Sequence, residues 1–168
     1  MAVEPWLRGT LTEVDPVLRA VLHALELARE DASRWVDDLS DAEIHARPAG
    51  LPSVAFHLRH MVRSLDRLLT YAEGQQLDEH QLAALKTEMD EAATADEVRA
   101  EFVVGLASAQ ERVRAFAPAQ FGEARGVGRK QVPTTVAGLL VHCADHMQRH
   151  AGQMVTTAKV VLAGRARN

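Results

Sequence analysis

Four stretches of this 168-residue chain repeat apolar residues at intervals of three and four, with proline or glycine breaking the chain between them. That period is the turn of an α-helix, so each stretch carries an apolar stripe that must be buried against another. The first begins at Asp15-Pro16, a cap followed by the residue favoured at the first helical position. It carries Val17, Leu18, Val21, Leu22, Leu25, Ala28 and Ala32 and is expected to end near Leu39. After a polar stretch broken by Pro48, Gly50 and Pro52, Ser53 caps the second, with Leu58, Met61, Leu65, Leu68 and Leu69 running up to Gly74. Thr94 and Glu97 form a capping box at the start of the third, whose stripe is Val98, Phe102, Leu106, Ala109, Val113 and Phe116 before Pro118. Thr134 or Thr135 caps the fourth, which runs to about Leu162 with only Gly138 and Gly152 inside it.

Between these stretches, residues 77–92 read as a short polar helix, a cover or crossover rather than a main element. Residues 118–133, with Gly122, Gly126, Gly128 and several charges, read as a mobile loop. The expected fold is all-α, one domain over 1–168. It is a four-helix bundle, antiparallel by economy, with a short extra helix and a long crossover connection between its second and third main helices. Aromatic residues make up only 4% of the chain, which argues against a β-sandwich.

Composition narrows function by exclusion. Acidic and basic residues are mixed along a chain of net charge −4, so no basic face is available for a run of phosphates, and nucleic acid is not expected as a partner. No segment approaches the ~20 apolar residues of a membrane span, and the first ten residues lack the apolar run of a signal peptide. The one cysteine, Cys143, forms no internal disulfide and fits a reducing compartment, so the expectation is cytoplasmic. Its simplest role is that of a small buried hydrophobe rather than a thiolate ligand.

The chemistry lies in the histidines. Of eight, five fall in two windows, His57 and His60 in the second helix and His142, His146 and His150 in the fourth. Residues four apart stand one turn apart on the same helical face, so two imidazoles at that spacing can reach one ion. The fourth helix offers two such pairs, His142/His146 and His146/His150. Its outer histidines, about 12 Å apart along the axis, cannot share an ion whose metal–nitrogen bonds are about 2.0–2.1 Å. His146 belongs to both pairs. A third ligand from the second helix, His57 or His60, would complete a site. Three imidazoles without a carboxylate leave a coordination position open to water or substrate and suit zinc, nickel, iron or copper.

The strings H60-M-V-R-S-L-D-R-L68 and H146-M-Q-R-H150-A-G-Q153 resemble those of the DinB/YfiT-like family, whose members are read as metalloenzymes. The resemblance spans nearly the whole chain in element order. It implies the DinB superfamily four-helix bundle, frequently a homodimer. It also implies His60, His146 and His150 as the metal ligands, with His57 and His142 as neighbours. The cofactor it implies is one divalent transition metal ion, nickel or zinc first, iron or manganese next. Relatives with assigned activities resemble thiol S-transferases and isomerases that use low-molecular-weight thiols, along with some hydrolases. The implied partners are therefore a small-molecule thiol and an electrophilic substrate; the alternative is a non-catalytic metal-binding bundle. Arg149 stands where many members carry another histidine and Ala151 where arginine is frequent.

Other residues have ordinary expectations. Asp145 and Arg149, four apart, form a surface pair. Gly152 either lets a neighbouring helix approach or makes room for a ligand; Gln153 is read first as solvated, with lining the cavity the alternative. Arg125, Arg129 and Lys130 read first as solvated loop residues, with binding of an anionic thiol cofactor at a cavity mouth the alternative. His23, His45 and His80 have no partner at ligand spacing.

Overall fold

The computed structural model describes residues 3–165. Four long helices, α1 (Pro16–Val36), α3 (Val54–Ala72), α5 (Ala95–Arg114) and α6 (Val136–Arg165), correspond to the four apolar stretches. Two short ones, α2 (Asp41–His45) and α4 (Glu79–Lys86), lie in the connections. Their starts follow local chemistry. Asp15 accepts from the Val17 amide with Pro16 at the first position, Ser53 accepts from Phe56, and Thr94 and Glu97 close the expected capping box. Of the two threonines proposed as the cap of α6, Thr135 serves, accepting from the Gly138 amide at 3.1 Å. Gly74, at φ +80°, ends α3 in the left-handed conformation that glycine adopts without strain. A second capping box, Ser40 with Glu43, starts α2 inside the stretch expected to be irregular, and α1 stops at Val36 rather than near Leu39.

The helices pack in the cyclic order α1, α6, α3, α5. Bonds between them give their directions. Arg99 of α5 donates to the Val36 and Leu39 carbonyls at the far end of α1, so α1 and α5 are antiparallel. Thr157 late in α6 meets Pro52 just before α3, while His146 meets His60, so α3 and α6 are antiparallel too. Arg63 pairs with Glu101 and Asp66 with Arg112, which makes α3 and α5 parallel neighbours. Arg165 at the end of α6 reaches Asp38 just past α1, and Gln148 reaches Ala24, so that pair is parallel as well. The bundle is therefore up-down-down-up rather than antiparallel throughout. The connection from α3 to α5 has to return along the bundle, and α4 lies in that return.

One correction falls in residues 118–133. The expected mobile loop contains an antiparallel hairpin, β1 (Ala124–Val127) against β2 (Val132–Thr135), with Ala124 opposite Thr135 and Val127 opposite Val132. Gly128 and Gln131, both at positive φ, make its turn. Arg125 ties the hairpin to the end of α3 by donating to the Ala72 carbonyl at 2.7 Å.

The buried side chains form one continuous cluster, with Leu22, Leu25, Leu58, Met61, Leu65, Leu106, Leu140, Met147 and Met154 among the most enclosed. Each leucine removed from water contributes roughly 1.5–3 kcal/mol to holding the helices together. Gly105 sets the closest approach, since a Cβ there would lie 2.7 Å from the Val62 Cβ. No helix among the described residues is long and apolar enough to cross a membrane.

Candidate metal centre

His60 on α3 and His146 and His150 on α6 meet across the antiparallel interface, each offering one ring nitrogen within 4.8 Å of the others. The closest approach is 3.0 Å, between Nε2 of His60 and Nε2 of His146. Spacing alone left His142 and His57 open as members, and the structure separates them. His142 is exposed, its Nδ1 3.6 Å from Asp145, and takes no part in the trio. His57 is 2% exposed and lies behind His150, the two Nδ1 atoms 3.2 Å apart.

Burial, reinforced by the neighbouring imidazoles, pushes His57, His146 and His150 each down to about 4. At neutral pH these rings are uncharged, the form in which an imidazole ligates a metal. The ring nitrogens of His60, His146 and His150, converging with a cleft beside them, are a donor set that fits a zinc or nickel ion. Cys143 does not join them: it is fully buried in the core, and burial raises its thiol to about 12.

A residue that spacing did not reveal organises the site. Glu88, in the turn after α4 and 6% exposed, accepts from His60 Nδ1 at 2.7 Å through one oxygen and from Arg67 at 2.9 Å through the other. Burial opposes its ionisation most strongly, but the bonds from His60 and Arg67 together outweigh it and hold its pKa below the ordinary value. A carboxylate that accepts a hydrogen bond from one ring nitrogen leaves the other facing the metal position. Phe56 stacks on the other side of the His60 ring at 5.2 Å. The turn is itself pinned by α3, where Arg59 donates to the Asp90 carbonyl and Arg63 to the Ala84 carbonyl and the Thr87 hydroxyl. Arg59, Arg63 and Arg67 recur every four residues, a stripe of cations on one helical face and the only trace in the sequence that this turn is held there.

The remaining expectations divide. Asp145 and Arg149 form the surface pair, at 2.8 Å. Gly152 meets no neighbour within 4 Å of a built Cβ, so close helix packing is not its reason. It lines a cleft of about 370 Å³ with His57, Arg149 and Gln153. Arg125 is committed to Ala72 and Glu123, and neither it nor Arg129 nor Lys130 lines the cleft at the histidines, which sets aside the cavity-mouth alternative for them. His23 contacts Thr10 and His45 the Ala93 carbonyl, both remote from the trio. A second cavity, about 580 Å³ between α3, α4 and α5, holds no comparable cluster of ligating groups among the described residues. Its polar lining is largely paired internally, as in Arg63 with Glu101 and Gln81 with Asp66.

The DinB superfamily model matches residues 24–154, a span that contains all three clustered histidines and Glu88. The chain belongs to the DinB superfamily. A comparison with curated proteins finds no match. For a DinB-superfamily chain, the three-histidine cluster is consistent with a metal-binding protein.

Proposed function

We propose that the chain is a divalent-metal-dependent enzyme, a transferase that joins a low-molecular-weight thiol to an electrophilic substrate. The carrying observation is the convergence of three imidazoles within 4.8 Å beside an open cleft. His60, His146 and His150 would hold the ion, with nickel or zinc the best match to the donor set. When bound, it supplies Lewis acidity, lowering the pKa of a thiol or water that reaches it. Glu88 holds the His60 ring by accepting from its Nδ1–H, and His57 meets His150 at Nδ1, 3.2 Å away. In a substitution, a sulfur–carbon bond replaces the bond to the leaving group, and the thiol proton departs with that group. A hydrolytic version puts water in place of the thiol. We place the protein in the cytoplasm as a homodimer, readings supported by its single cysteine and by the family resemblance.

A non-catalytic reading has one observation in its favour, because the ligands come from two different helices and an ion there would tie them together. Protein purified without a nickel column should contain about one equivalent of metal by elemental analysis, and His146→Ala should remove it. Metal-free wild-type protein would sink both readings. The metal-loaded protein should then consume bacillithiol, mycothiol or glutathione in the presence of electrophilic acceptors. A metalloprotein that consumes none leaves the non-catalytic reading standing.

A further inference from the structure

The cleft beside the histidines differs from an ordinary polar active-site mouth in where its charges go. It encloses about 390 Å³, with His60 and His146 at one part of its lining and Leu68, Tyr71, Leu77 and Leu85 supplying apolar wall. Its single arginine, Arg67, is spent: one guanidinium nitrogen donates to Glu88 at 2.9 Å and another to Ser64 at 3.0 Å. Glu88 is in turn spent between Arg67 and His60. One helical turn before His146, His142 faces Asp145. A carboxylate entering this space would give up water and gain no unpaired cation from the lining, whereas an alkyl or aryl group would cover leucine surface that is now wet, including Leu85 at 48% exposure.

We infer that this cleft is the subsite for the apolar, uncharged body of the electrophilic partner, whose reacting end reaches the histidines, and that it discriminates against a carboxylate carried on that body. The inference rests on the metal reading for what the reacting end meets, and on the lining alone for the apolar selectivity. The two parts are therefore tested separately.

Cobalt-loaded protein titrated with primary alkanethiols from ethanethiol to hexanethiol, followed by visible absorption, should bind about fourfold more tightly per added methylene. It should bind 3-mercaptopropionate at least tenfold more weakly than propanethiol. Leu85→Lys, at a partly exposed position on α4, should flatten the alkyl series and tighten 3-mercaptopropionate at unchanged cobalt content. In parallel, metal-free protein with 13C-labelled leucine methyls is titrated with 1-hexanol and with hexanoate. The alcohol, and not the acid, should shift the methyls of Leu68, Leu77 and Leu85. A protein that takes up no cobalt but shows these shifts would overturn the metal reading and leave the subsite in place. Cobalt uptake with a flat alkyl series, or equal response to hexanol and hexanoate, would overturn the subsite and leave the metal reading untouched.

Discussion

His60 has two ring nitrogens in two environments, and Glu88 fixes which does what. With Nδ1–H donating to a buried carboxylate at 2.7 Å, the Nε2 lone pair is the one that faces His146. Glu88→Ala should lower metal affinity about 10- to 100-fold, read by competition against a chelator, with the far-UV spectrum unchanged. Glu88→Gln keeps an acceptor without the charge and should fall between. An affinity unchanged in both variants would remove Glu88 from the site. The depressed histidines make a second prediction. His57, His146 and His150 titrate near 4 when folded, against about 6.5 when unfolded. As pH falls below 6.5 the unfolded chain takes up protons first, so metal-free stability is full above that value. It is lost progressively down to about 4, by on the order of 1–3 kcal/mol for the coupled group. Urea midpoints across that window check it, and His57→Asn should flatten the profile.

At the scale of elements, the helices were legible because their signals are local. A cap such as Thr94 with Glu97 lies three residues from its partner, and the stripe Val98 to Val113 repeats within a single helix. The hairpin was not legible, because its strands are four residues each, carry Gly126 and Pro133 in register, and are held by a bond from Arg125 to Ala72 far back in the chain. Glu88 was hidden for the same reason, 28 residues from the histidine it holds. Glycines show how the reading fails in both directions. Gly152, beside His150, packs against nothing, while Gly105, one residue before Leu106 of the α5 stripe, lets α3 come close. Their alanine variants should differ in sign. Gly105→Ala forces its Cβ against Val62 and should destabilise by about 1–3 kcal/mol. Gly152→Ala, mid-helix with open space, should stabilise by up to about 1 kcal/mol. Chemical denaturation of both variants decides the matter, and a neutral Gly105→Ala would refute the tight approach.

Across the whole molecule, what sequence could not supply was direction. Each apolar stripe says that a helix is buried, but α5 could satisfy its own beside a parallel or an antiparallel neighbour. The pairing of Arg63 with Glu101 and of Arg112 with Asp66 is visible only once both chains of residues are in space. The resulting order sets α3 directly against α6 and so brings two histidine windows together that lie 86 residues apart at His60 and His146. It also bears on whether an ion is needed for folding. The two helices it would tie already belong to the buried cluster, through Leu58, Met61 and Leu65 on one and Leu140, Met147 and Met154 on the other. A bundle with that core does not depend on metal as a zinc finger does. Chelated protein should therefore keep its helical far-UV spectrum and unfold in one cooperative transition. Metal at 100 times its dissociation constant should add about 2.7 kcal/mol by mass action, a rise in Tm of several degrees. Thermal unfolding with and without chelator measures both, and His146→Ala should behave like the chelated wild type. If chelation instead melts the helices, the ion is a structural staple, and the open cleft beside it loses its claim to be the reason the histidines are there.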